Sequence, residues 1–187
     1  MRRKRWTKFA VGGLALVLAS LFALHRSVDH WPAHRDAGLP AGQAGLHRVA
    51  YVYDGDTIKL DNGEHVRLIG IDAPEAHEND KLLRDVRHRH IDGQTQLAMG
   101  RQAAGFARSL LAGQQVRLEF DVEERDKYGR LLAYLYLPDG TFVNEKIIRE
   151  GYAYPLTIPP NVRHAHEFKR WFDEAREAKR GLWSHER

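Results

Sequence analysis

Residues 46–74 read LHRVAYVYDGDTIKLDNGEHVRLIGIDAP. Apolar and polar side chains alternate through two runs of this stretch, and a period of two is the mark of strands with one face in a core. Between the runs lies Asp61-Asn62-Gly63. Asn-Gly is a strong hairpin signal, because the tight turns that join antiparallel strands need positive φ angles that these residues tolerate. In the second run Val66, Leu68, Ile69 and Ile71 are apolar, so that strand is largely buried, and Pro74 stops it. The stretch therefore predicts antiparallel strands wrapped on a core.

Downstream, residues 76–98 are polar and histidine-rich and read as an extended loop. A helix is expected over about 97–112, with Leu97, Gly100, Ala104, Ala107 and Leu111 on one face and Gly113 after its end. VRLEFDVEE (116–124) and LLAYLYLPDG (131–140) read as two more strands joined by a turn containing ERDKYGR (124–130). A short helix over about 143–150 closes at Gly151, and Pro155, Pro159 and Pro160 mark an irregular passage. A last helix is expected over about 161–180, its apolar face carrying Phe168, Trp171, Phe172, Ala175 and Ala178, with Gly181 as C-cap. Strands first, one helix inserted and two trailing predict an α+β fold, a small antiparallel barrel with helices packed on it. A five-stranded Greek-key barrel of the OB type fits the strand count, and that barrel is a frequent oligonucleotide platform. There are no internal repeats.

Upstream, residues 1–8 are MRRKRWTK and residues 9–24, FAVGGLALVLASLFAL, carry no charge. A basic head before an apolar run is the layout of a secretory signal or an uncleaved signal anchor, and this layout alone does not separate the two. A hydrophobic helix over this run would hold the membrane, and the positive-inside bias would put the domain outside the cytoplasm, either anchored or, after cleavage, secreted. Residues 27–45 are rich in Gly, Ala and Pro and read as a flexible linker. The domain organisation is thus 1–26 signal or anchor, 27–45 linker, 46–187 a single compact domain, expected to be monomeric.

At 43% hydrophobic and 29% charged residues the chain is globular in composition. It has no cysteine, which excludes disulfides, thiolate catalysis and cysteine-ligated zinc. The chain holds 29 Lys and Arg against 25 Asp and Glu. Six of the basic residues lie within 1–26, where there is no acid; taking them away leaves 23 against 25. The domain itself is slightly acidic, so any grip on nucleic acid rests on a few placed arginines and not on a basic surface.

Three segments carry chemistry. Asp54, Asp56 and Asp72 are oxygen donors of the kind hard divalent cations take, although Asp-Gly-Asp by itself is most often a plain turn. Arg67 sits inside a buried strand and needs an anionic partner or a wet cleft there, the plain case being a structural ion pair with one of the aspartates. Pro74 fixes the backbone just before Glu75. Arg125, Lys127 and Arg130 are expected on one side of the turn between the two later strands, where charge-rich turns are commonly just solvated. Phosphodiester hydrolysis needs a base for water, a cation and donors to the phosphate oxygens. Glu75, a calcium ion and the Arg67/Arg130 pair would meet these needs, with arginine suited to a bidentate phosphate grip.

Taken together, VAYVYDGDTIKL, HVRLIGIDAPE, EERDKYGRLLAYLYLPDGTFVNEKIIREGYA and KRGLWS resemble the thermonuclease, or staphylococcal-nuclease-like, family over about residues 46–184. The resemblance implies an OB barrel with three helices and calcium-dependent endonucleolytic hydrolysis of DNA, single-stranded or duplex, and RNA. It implies that Asp56, Asp72 and the backbone carbonyl of Ala73 bind calcium, with Asp54 beside the metal; that Glu75 is the general base; and that Arg67 and Arg130 grip the phosphate and stabilise the transition state. Lys127 and Tyr128 match positions lining the nucleotide cleft. Three departures stand out. The stretch before the last helix is YPLTIPPN, with Leu156 and Ile158 where the family's type member has tyrosines, and Tyr154 is the candidate substitute. The 76–98 loop carries His77, His88 and His90, either a second metal site or a solvated basic loop. Ala73 replaces a threonine, which a backbone ligand survives. The competing readings are a non-catalytic nucleic-acid- or protein-binding module on the same fold, or an adaptor, tethered to the membrane.

Overall fold

The structure, a computed structural model, describes residues 45–78 and 92–185. The expected signal or anchor and all of the linker but its last residue lie outside them, as do His88 and His90. Among the described residues no helix is long and apolar enough to cross a membrane.

Five strands close a barrel in the order β1-β2-β3-β6-β5, made of β1 (His47–Val52), β2 (Thr57–Leu60), β3 (His65–Leu68), β5 (Gln115–Glu119) and β6 (Leu131–Tyr136). The Asn62-Gly63 turn joins β2 to β3 as expected, with Gly63 at φ +90° and its N–H donating to the Leu60 carbonyl at 3.0 Å. The Asp-Gly-Asp segment forms the other sharp link, between β1 and β2. β3 runs parallel to β6, with Val66 opposite Leu131 and Leu68 opposite Ala133. Closure comes from β1 against β5, His47 opposite Val116. Inside are Val49, Val52, Ile58, Leu60, Val66, Leu68, Val116, Leu118, Ala133 and Leu135, all buried.

A separate ribbon pairs β4 (Gly70–Asp72) with β7 (Tyr154–Leu156), Asp72 opposite Tyr154. The proline-rich passage did not announce β7: Pro155 sits in it because this two-stranded ribbon has edges where a missing N–H costs little. Helix α1 (Gly93–Leu111) starts earlier than its apolar periodicity suggests, since Asp92 caps it by accepting from the N–H groups of Gln94 and Thr95. Its buried face includes the expected Leu97, Gly100, Ala104, Ala107 and Leu111. Helix α2 (Val143–Arg149) falls where expected. Helix α3 is shorter than its pattern, Ala165–Glu177, with Ala178 as C-cap and Lys179 at φ 51°, so Ala178 is exposed and Gly181 begins a 3-10 turn instead of capping the helix. Phe168 and Trp171 of α3 pack into the barrel core, and Trp183 of the 3-10 turn packs with Leu182 and Ala175 in a second small cluster.

The barrel and helices are stapled by a buried asparagine. Asn144 of α2 is fully buried, accepts from the Leu135 N–H of β6 at 2.9 Å and donates to the Ile69 carbonyl at 2.8 Å. One side chain thereby satisfies a β6 donor and the carbonyl where β3 turns into β4, which is the strand that carries Asp72.

Candidate active site

The strand register assembles the site. Thr57, at the start of β2, is opposite Arg67 of β3, so Asp56 stands beside the Arg67 side chain. Asp72 ends β4. Asp56 is 2% and Asp72 7% exposed, and burying two carboxylates this deeply requires partners. Asp56 Oδ2 accepts from the Ala73 N–H at 2.6 Å, and its Oδ1 accepts from the Thr57 hydroxyl at 3.0 Å. Arg67 is ion-paired to Asp56 and donates to Asp72 Oδ1 at 3.0 Å. Asp54 Oδ1 accepts from the Asp56 N–H at 3.0 Å, which fixes the bend. Burial pulls the Arg67 guanidinium below the ordinary arginine value; the charges of Asp72 and Asp54 work against that, and the charge of Arg130 adds to it. The two arginines thus sense each other across one space.

That space is a cleft of about 950 Å³ lined by Asp54, Asp56, Arg67, Asp72, Glu75 and Arg130, among others. Two glycines let its parts meet. A Cβ on Gly55 would stand 2.5 Å from the Cβ of Ala73, so only glycine lets the β1–β2 bend touch the segment after β4. A Cβ on Gly100 would stand 1.9 Å from the Glu75 carbonyl oxygen, so α1 lies flush against the backbone that carries Glu75. Neither contact is visible in the local pattern around Asp56 or Glu75.

The 125–130 turn is organised by an aspartate that sequence reasoning passed over. Asp126 Oδ1 accepts from the backbone N–H of Tyr128 at 2.9 Å and of Arg130 at 3.0 Å, and its Oδ2 takes the Arg130 Nε at 2.7 Å. Its spacing to Tyr128 is that of an Asx turn, a signal that was present in the sequence. Burial would raise the Asp126 carboxyl, but the hydrogen bonds from Arg130 and the Tyr128 backbone outweigh it and hold it below the usual carboxylate range. Asn161 clamps the same connection, exchanging two 2.8 Å hydrogen bonds with the Glu123 backbone.

Two expectations need correction. Arg125 does not join Lys127 and Arg130 at the cleft. Its guanidinium makes a two-pronged pair with Glu64, at 2.8 and 3.0 Å, and so ties this turn to the β2–β3 turn. Tyr154 does not line the cleft either. Its ring packs against Phe172 and Trp183, with centroids 5.8 and 4.9 Å away, because the second hydrophobic cluster claims it. Leu156 and Ile158 line the cleft instead, with Leu132. Lys127 and Tyr128 line the cleft. Tyr128 is 73% exposed on its rim, and Lys127 Nζ lies 5.1 Å from its ring centre. His77 also lines the cleft, while the other two histidines of its loop lie outside the described residues.

Among the described residues no group of three or more His, Cys, Asp or Glu side chains is arranged as a metal cage. The donor set nevertheless fits one hard cation. Asp54, Asp56 and Asp72 bring three carboxylates to the cleft against the single guanidinium lodged between two of them. That leaves negative charge in excess beside oxygen donors, the environment a divalent cation of the calcium or magnesium type neutralises, with backbone oxygen and water completing its coordination.

Comparison with known proteins identifies the family. Residues 65–185 match the family described as staphylococcal nuclease homologue. The chain is 31% identical over 176 residues to the thermonuclease of Staphylococcus hyicus, covering 92% of this chain and 96% of that protein. It is 32% identical over 180 residues to the thermonuclease of Staphylococcus intermedius, with 94% and 98% covered. An uncharacterized endonuclease of Escherichia coli is 33% identical over 151 residues, 75% of this chain and 79% of that one. By its barrel, by this match and by these relatives, the chain belongs to the staphylococcal nuclease homologue family.

Proposed function

We propose that this nuclease-family chain is a calcium-dependent endonuclease that hydrolyses phosphodiester bonds in DNA, RNA or both. The observation that carries the reading is the convergence, on one cleft, of buried Asp56 and Asp72, the guanidinium of Arg67, the carboxylate of Glu75 and a second guanidinium, Arg130, held by Asp126.

Asp56, Asp72 and the Ala73 carbonyl would hold the calcium, with Asp54 beside it; bound there, the ion supplies positive charge against the phosphate and orients water. Glu75 takes the proton from the attacking water. Arg67 and Arg130 donate to phosphate oxygens whose charge grows as the pentacoordinate transition state forms, and this is the interaction that raises kcat. Substrate entry sets Arg67 a choice, since its pairs with Asp56 and Asp72 compete with phosphate; a cation held by those carboxylates would supply them the positive charge that Arg67 gives up. Lys127 and Tyr128 border the path of the nucleic acid at the rim. Residues 1–26 serve as signal or anchor and place the domain, residues 46–187, outside the cytoplasm.

The test is cleavage of single-stranded DNA and of RNA by the full-length chain, with calcium and with EGTA. Cleavage that starts with calcium and stops with EGTA supports the proposal. Equal cleavage in EGTA, or none with calcium, sinks it.

A further inference from the structure

Three aromatic rings outside the acid–arginine end remain without a role. Tyr51 and Tyr53 meet edge to face, with centroids 4.9 Å apart and planes at 68°, and Tyr53 lies over His65 at 5.2 Å and 31°. Tyr51 is 53% exposed, His65 is exposed and Tyr53 is half-buried. The strand register aligns them: Tyr51 is opposite Lys59, and Lys59 is opposite His65, so one row across β1, β2 and β3 carries ring, cation and ring. This row is on the outer face, since Ile58, Leu60, Val66 and Leu68 fill the barrel. His65 is two residues from Arg67 on the same face of β3, roughly 6.6 Å along the strand. Tyr53 and His65 both line the cleft that holds Arg67, so the aromatic row is a continuation of it.

We propose that Tyr53 and His65, extended by Tyr51 and flanked by Lys59, form a stacking subsite for the unpaired bases of a nucleic-acid strand leaving the cleft. The proposal rests on the nuclease reading for its ligand. Every base has a π face, so rings beside a cation bind single strands with little regard to sequence. Leu132, Leu156 and Ile158 also line the cleft and offer apolar contact but no ring. The nearby carboxylate of Glu64 is engaged by Arg125 and does not oppose a phosphate chain there. Duplex DNA keeps its bases stacked and gains nothing from these rings, so the subsite favours single strands.

The full-length chain in EGTA is titrated with a labelled short single-stranded oligothymidylate and with an abasic oligomer of the same length, and a denaturing gel checks that both strands stay intact during the titration. Because binding alone is read, failure of the hydrolytic reading does not decide the outcome. The wild-type chain binds the base-bearing strand about 10-fold more tightly, the scale of one or two stacking contacts. The double variant Tyr53→Ala, His65→Ala loses that preference and keeps its affinity for the abasic strand, and Tyr53→Phe retains the preference. Melting temperatures confirm that the variants fold. A preference that survives in the folded double variant, or its absence in the wild type, overturns the proposal.

Discussion

The two ends of the cleft are built on opposite plans. At the closed end Asp56 and Asp72 are buried, and half-buried Arg67 pairs with both, while Asp56 is held to the backbone of Ala73. At the open end Tyr128, Ile158, Tyr51 and His65 are exposed, and the rings of Tyr128, Tyr51 and His65 meet cations or other rings. A reaction that stabilises developing charge needs groups preorganised in a water-poor place. Holding a strand of any sequence needs surfaces that tolerate variety. The closed end therefore admits few substitutions, whereas the open end can exchange tyrosines for Leu156 and Ile158 and set rings elsewhere.

The largest expected effects fall on the closed end. Glu75→Gln, Arg67→Ala and Arg130→Ala each lower kcat on single-stranded DNA by at least ~100-fold, the cost of losing a base or an oxyanion donor. Arg67→Ala also leaves Asp56 and Asp72 facing each other without their cation, so its melting temperature drops in EGTA and recovers in part with calcium. Activities within a few-fold of wild type would show that these residues are structural.

A smaller loss separates position from chemistry. Gly100→Ala puts a Cβ where the Glu75 carbonyl stands, so the backbone must shift, and misplacement of this order costs roughly 10- to 100-fold in kcat. Gly105→Ala, on the same helix with open space around it, is the control that stays at wild-type activity. Equal behaviour of the two variants would break the link between α1 and the base.

Smaller again is the effect at the boundary between the ends. Asp126→Asn weakens the hold on Arg130 and lowers kcat several-fold, less than removing Arg130 itself. The Asp126 carboxyl is held below its ordinary value of 3.8, so it favours the folded state above that value and loses this contribution as pH falls through its depressed value. The acid limb of the melting-temperature profile is therefore flatter in Asp126→Asn. The smallest effect is expected for Arg125→Ala, since an exposed ion pair contributes little; cleavage stays within about twofold of wild type.

The same contrast explains what could be read from the chain. The Asn62-Gly63 hairpin, the barrel strands and the face of α1 follow from local period and turn chemistry, and the acids and arginines of the closed end lie in short contiguous segments. The places of Tyr154 and Arg125 do not follow from their neighbours in sequence. Trp183 and Phe172 draw Tyr154 away from the cleft, and Glu64, 61 positions from Arg125, captures its guanidinium. Gly100 was legible as a buried helix position, but its contact with the Glu75 carbonyl exists only once α1 docks. The Tyr51–Lys59–His65 row needs the register of three strands, which alternation alone leaves open by one residue.

The most direct test of the closed end as a calcium-dependent hydrolytic site is a calcium titration of the single-turnover cleavage rate, with the wild-type chain and Asp72→Asn side by side. The wild-type rate rises to saturation with calcium and is absent in EGTA, and Asp72→Asn needs at least about 10-fold more calcium to reach half its own maximum. Cleavage independent of calcium, or the same calcium dependence in both proteins, would contradict the account.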